Sequence, residues 1–117
     1  MKTYEIENKL KNIKNFIGVF ARDKLPKKIK WPISLVANTD TSDHPGTHWV
    51  AIIIDKNGFG EYFDSYGIPP IYPEFIKFLK NNTINYFYNK KLIQCLTCIT
   101  CGHYCIAYII LRSKGYF

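Results

Sequence analysis

The chain has 117 residues, a formal charge of +7, and 47% apolar residues, of which aromatics make up 16% of the whole. That is one domain's length with enough apolar material for a core, which argues against disorder and against a multidomain assembly. No apolar run approaches the roughly 20 residues of a membrane-spanning helix. Residues 1–16 are charged throughout and lack the apolar segment of a secretory leader. The sequence therefore predicts a monomeric protein that is intracellular or carried inside a particle, with no membrane partner.

Tyr4, Ile6, Leu10, Ile13 and Ile17 recur at helical spacing, with Glu5 and Glu7 near the start, and predict an amphipathic helix over 3–17. Gly18 to Phe20 reads as a short strand. Lys24–Trp31 contains Pro26 and reads as a basic loop, and Ile33–Ala37 as a β-branched strand. Asn38–Thr47 is rich in Asn, Asp, Ser, Pro and Gly and reads as an exposed loop. Trp49–Asp55 is almost wholly apolar, as in a strand covered on both faces. Asn57-Gly58 is a turn pair, and Phe59–Tyr66 resumes a strand pattern, so a hairpin is predicted over 48–66. Gly67–Pro70 ends it. Pro73–Asn81 predicts a short helix with Phe75, Ile76 and Leu79 inward, and Asn85–Gln94 one or two further strands. The Pro-free apolar stretch opening at Cys101 predicts a buried helix over 101–113. With no repeat or linker, the layout is a single α+β domain: a mixed or antiparallel sheet flanked by helices.

All four cysteines lie between Cys95 and Cys105, too crowded for a framework that staples distant segments. Reduced thiols follow. Lysines cluster as Lys24, Lys27, Lys28 and Lys30, then Lys90 and Lys91, a surface that attracts polyanions without reading sequence, non-specific DNA among them.

The chemistry starts in the hairpin. His48 precedes its first strand and Asp64 lies near the end of its second, so antiparallel pairing brings both to one end of the ladder. The register depends on the turn type. A carboxylate there holds an imidazole in one tautomer and stabilises its protonated form. Taken alone, the pair reads better as a strand-end His and a surface Asp, each solvated. Cys101 opens an apolar helix, where unpaired N–H groups favour thiolate, and Gly102 leaves room for a substrate backbone. Taken alone, without a partner base, Cys101 reads better as a buried structural thiol. Gln94, seven residues upstream, carries an amide that can donate to an oxyanion.

Together these residues form an ordered set: His48-Trp49, then Asp64 within Tyr62-Phe63-Asp64-Ser65-Tyr66-Gly67, then Gln94, then Cys101-Gly102-His103-Tyr104-Cys105. The set resembles the adenovirus endopeptidase (adenain) group of cysteine proteases, including those of virus-like DNA transposons. It is more distantly similar to the SUMO-protease group. Upstream, Phe16-Ile17-Gly18-Val19-Phe20, Leu25-Pro26 and Val36-Ala37-Asn38-Thr39 resemble the same pattern. Adenovirus enzymes carry Glu where Asp64 stands; either carboxylate can orient an imidazole. The resemblance implies a cysteine endopeptidase of virus maturation, acting on protein precursors in the host nucleus or virion. It also implies Cys101 as nucleophile, His48 as base, Asp64 as its orienter and Gln94 in the oxyanion hole, with Trp49 and Gly102 supporting the site. No cofactor is required by the residues; stimulation by DNA or a small peptide is implied by the resemblance.

Two rivals remain. Cys95, Cys98, Cys101 and Cys105 spell C-x2-C-x2-C-x3-C, an iron–sulfur spacing, in what would then be a basic nucleic-acid-binding module. No further Cys completes a cluster and Ile106, not Pro, follows the fourth. Zinc held by these thiols and His103 leaves His48, Asp64 and Gln94 unexplained, so no metal ligand set is assigned. His44 and His103 compete as base; His48 is favoured because Trp49 and the strand behind it fix its position.

Overall fold

A computed structural model describes residues 2–43, 48–89 and 101–115. The elements run α1 (Thr3–Leu10), β1 (Phe16–Ala21), a 3-10 turn at Arg22–Lys24, β2 (Ile33–Asn38), β3 (Trp49–Ile54), β4 (Phe59–Phe63), α2 (Pro73–Asn82), β5 (Asn85–Tyr88) and α3 (Cys101–Ser113). The strands form one sheet in the order β1-β2-β3-β4-β5. The outer pairs β1/β2 and β4/β5 are parallel, and the inner pairs are antiparallel. The domain is therefore α+β with a mixed sheet.

Alternation along the central strands sorts the core into two layers. Val36, Trp49, Ala51 and Phe63 face one side, where they pack against Ile6 and Leu10 of α1 and Cys105 and Ile109 of α3. Leu35, Val50, Ile52 and Tyr62 face the other side and pack against Phe75, Phe78 and Leu79 of α2. Both faces of β3 are covered, which is why Trp49–Ile54 is apolar without a break.

Two sequence expectations are corrected. The helix expected over 3–17 ends at Leu10. Asn15 adopts a left-handed φ of 71°, and its carbonyl accepts Ser34 N–H at 3.0 Å. Phe16 onward then pairs with β2 as the outermost strand, so strand pairing overrides a helical spacing that Ile13 and Ile17 continue. On α2, Phe78 takes the buried place expected for Ile76, which is half-buried. Pro73 stands in the first turn of α2, where its missing N–H costs nothing.

The hairpin turn also differs in kind. Ile54 pairs with Gly60, and Asp55 N–H bonds Phe59 C=O at 3.0 Å, leaving a three-residue loop, Lys56–Gly58. Gly58 alone takes positive φ, 86°, the geometry of a type I turn followed by a left-handed residue. A side chain at Gly58 would also strike the Trp31 ring, 2.5 Å from an added Cβ.

α3 is locked onto β4 by charge. Glu61, 6% exposed, accepts Tyr108 O–H at 2.6 Å and a two-pronged Arg112 fork, Nε at 2.9 Å and Nη2 at 2.6 Å. Tyr108 in turn stacks on Phe63 at 4.2 Å. Removing Arg112 strands a buried carboxylate, which generally costs 3–5 kcal/mol. Because Arg112 is partly exposed, Arg112→Ala is expected to destabilise by about 3 kcal/mol, the low end of that range. Arg112→Lys should recover only part, since a point charge cannot form the fork. Urea unfolding followed by tryptophan fluorescence measures both.

Candidate active site

The site lies where β3 begins and β4 ends. Ala51 pairs with Phe63; continuing that register sets Val50 opposite Asp64 and His48 opposite Tyr66. Thr39 N–H holds the His48 carbonyl at 2.9 Å, fixing the residue just before β3. His48 Nε2 lies 3.0 Å from Asp64 Oδ1. A carboxylate only accepts, so Nε2 carries the donated proton and Nδ1 is the ring nitrogen left for a second partner. The Tyr66 ring stacks on the imidazole at 4.7 Å and 6° from parallel.

The second partner is Cys101. Its thiol hydrogen-bonds His48, and Trp49 N–H donates to Sγ at 3.4 Å. Cys101 is 5% exposed and Gly102 is also buried. Trp49, 5% exposed, packs in the same layer as Cys101 and Cys105 and walls that side of the site.

Electrostatics tie the pair together. Burial works against a charged His48, but the Asp64 hydrogen bond and the Cys101 thiolate outweigh it and raise the imidazole to about 9. Burial likewise works against the thiolate, yet the His48 hydrogen bond, Trp49 N–H and Gly102 N–H bring the Cys101 thiol below its ordinary value. Cys105, one turn along α3, has no such partners. Burial pushes its thiol well above the usual range, and the neighbouring charges of Cys101 and Asp64 add to the rise.

Asp64 is 3% exposed, and its Oδ1 and both backbone polar groups are bonded. Oδ1 accepts Tyr66 N–H at 2.8 Å as well as His48. The carbonyl accepts Gly67 N–H at 2.8 Å. Asn89, at the exit of β5, accepts Asp64 N–H through Oδ1 at 2.9 Å and donates from Nδ2 to Asp64 C=O at 2.6 Å.

The structure thus brings together His48, Asp64, Cys101, Trp49 and Gly102. Gln94, Cys95, Cys98 and His44 lie outside the described residues. His103 is exposed on α3. Among the described residues no group of three or more His, Cys, Asp or Glu is placed to hold a metal ion, and no helix is long and apolar enough to cross a membrane. Sequence reasoning missed Asn89 and Tyr66. Tyr66 carried a signal, standing two residues past Asp64 before the turn glycine Gly67. Asn89 reads only as a polar residue at a strand end.

No protein-family model matches the chain. A protein of Acanthamoeba polyphaga mimivirus described as "Putative thiol protease R355" is 34% identical over 93 residues, covering 71% of this chain and 30% of that protein. Among solved structures, the ASFV pS273R protease matches with a TM-score of 0.57 at 28% identity, covering 72% of this chain and 36% of that one. The chain spans about a third of the length of these relatives. In sequence it is similar to that mimivirus protein and in fold to the ASFV protease, and its α+β sheet matches a cysteine-protease fold.

The two shifted groups set a pH signature. As pH rises through the lowered Cys101 value the thiolate forms, while His48 keeps its proton until about pH 9. The ion pair therefore fills the interval between them. Alkylation of Cys101, read by peptide mapping, is expected to begin at a lower pH than for an ordinary thiol. In His48→Ala the onset should move up, cutting the rate at pH 7 by about tenfold, the effect of one pKa unit. An unchanged profile in that variant would show that the imidazole does not control the sulfur.

Proposed function

We propose that this domain is a cysteine endopeptidase of the adenain type, acting on viral or virus-like precursor proteins. The observation that carries the reading is the chain of contacts Asp64–His48–Cys101, drawn from three elements and closed at one end of the sheet. The mimivirus and ASFV relatives, both described as proteases, support it.

Cys101 is the nucleophile. Its thiolate attacks the scissile carbonyl carbon, and the carbonyl π electrons move onto oxygen. The Cys101 N–H and the Gln94 amide donate to that oxyanion. His48 passes the Nδ1 proton to the departing amine as the tetrahedral intermediate collapses to a thioester. His48 then takes a proton from water, hydroxide adds to the thioester, and the thiolate leaves. Asp64 holds the ring with Nδ1 toward sulfur throughout. Gly102 leaves space for the substrate backbone, and Trp49 keeps water from one side of the sulfur.

On this reading the protein works as a monomer inside the virion or host nucleus. Contact with nucleic acid is favoured there by the +7 charge. Arg22, Lys27, Lys28 and Lys77 line an open groove of about 670 Å³, but Asp23 and Glu74 line it too and Glu74 pairs with Arg22 at 3.4 Å, so the groove carries only a partial positive excess.

The test is digestion of a peptide library by the full chain, with products identified by mass spectrometry. Cys101→Ala is expected to abolish cleavage. Gln94→Ala should lower kcat by about 10²–10³-fold with KM little changed, the usual loss of one oxyanion donor. Cleavage that persists in Cys101→Ala sinks the proposal.

A further inference from the structure

We propose that Asn89 is a positioning residue for the carboxylate of this site: its side-chain amide adds a rung to the β4–β5 ladder and holds Asp64 in hydrogen-bonding register with His48. The proposal rests on the protease reading for its purpose, but its geometry can be tested without any substrate.

The regular parallel pairing of β4 and β5 ends at Tyr62 with Tyr88. Asp64 lies two residues beyond that last pair, and among the described residues its backbone N–H meets a side chain there. That side chain is Asn89. An amide side chain offers one acceptor and paired donors in a plane, much as a peptide unit does. Oδ1 takes Asp64 N–H at 2.9 Å, and Nδ2 gives to Asp64 C=O at 2.6 Å. Both backbone polar groups of one residue are thus gripped by a single side chain.

The effect on the site follows from what remains free. With its backbone held, Asp64 can move its carboxylate only about χ1 and χ2. Tyr66 N–H at 2.8 Å and His48 Nε2 at 3.0 Å both bind Oδ1 and fix those rotations. Without Asn89 the buried N–H loses its acceptor and the C=O keeps only Gly67 N–H, so the turn from Asp64 to Gly67 can rotate, taking Oδ1 from the ring. Few residues replace this amide. Asp accepts but cannot donate when ionised, Ser is too short, and Gln sets the amide one methylene further out.

Asn82 shows the contrast. It too bonds widely, accepting Ile29 N–H and donating to Phe78 and Lys27 carbonyls, but it ties a loop to the end of α2. Its contacts include none of His48, Asp64 or Cys101. Asn89 alone of the two reaches a member of the site.

The experiment is an NMR titration of the His48 ring in the full chain, assigned by loss of the signal in His48→Gln and accompanied by melting temperatures. The wild-type ring is expected to titrate near 9. Asn89→Ala should lower that value by about one unit, a tenfold change in proton affinity. Asp64→Asn should lower it as well, and adding Asn89→Ala to Asp64→Asn should lower it no further, since both act through one carboxylate. Asn89→Gln, which keeps the polar chemistry, should fold and still shift the ring downward. A wild-type titration in Asn89→Ala or Asn89→Gln, whatever the melting temperature, overturns the proposal. So does a full additional shift in the double variant. Absence of Cys101-dependent cleavage would instead sink the protease reading and leave the clamp standing.

Discussion

The register between β3 and β4 is the constraint on which the rest depends. Side chains alternate along a strand, so a slip of one residue would turn Trp49 and Ala51 from α3 to α2 and bring Val50 and Ile52 to the wrong layer. The same slip would move His48 off Tyr66 and away from Asp64. The three-residue turn at Lys56–Gly58 sets that register from the far end of the hairpin. Apolar packing and site geometry are therefore two readings of one alignment: the arrangement that buries Trp49 against α3 also lines up the imidazole with its carboxylate.

Two acidic groups share β4 and its exit, and each is compensated differently. Glu61 meets a permanent cation, Arg112, in a planar fork. Asp64 meets a titratable one, His48. The first contact fixes the position of α3 on the sheet at every ordinary pH. The second can change its protonation, which suits a group that must exchange a proton. Because Glu61 and Arg112 hold α3, they also hold Cys101, three turns away on the same helix. A rigid support thus lies behind a site whose own charges move.

Much of this was legible from residues alone, for reasons of period and order. The unbroken apolar run of Trp49–Ile54 announces a strand covered twice. His48 and Asp64 flank a hairpin, so their shared end of the ladder follows from chain direction. Which residues face each other does not, because Asn57-Gly58 admits more than one turn and each shifts the register. Ile13 and Ile17 continue a helical spacing past Leu10, yet the edge of β2 offers ladder bonds that a local pattern does not encode. Asn89 was illegible for a different reason. Its role is defined by a backbone two residues past the end of a parallel pair, and parallel pairing joins segments separated by a whole helix. Nothing in the letters near Asn89 points to Asp64.

α3 also holds two sulfurs of opposite character. Cys101 is acidic and bonded to an imidazole, while Cys105 is fully buried and held as a neutral thiol. Oxidants attack thiolates, so peroxide selects the first over the second, giving a sulfenic acid at Cys101. Residues four apart on a helix keep their Cβ atoms about 5–6 Å apart, beyond the about 3.5–4.5 Å that a disulfide spans. Cys105 therefore cannot cap the oxidised sulfur without unwinding the helix. Any thiol that caps the oxidised sulfur must come from outside α3, so the helix that offers one sulfur to oxidants leaves its recovery to other segments or to free thiols.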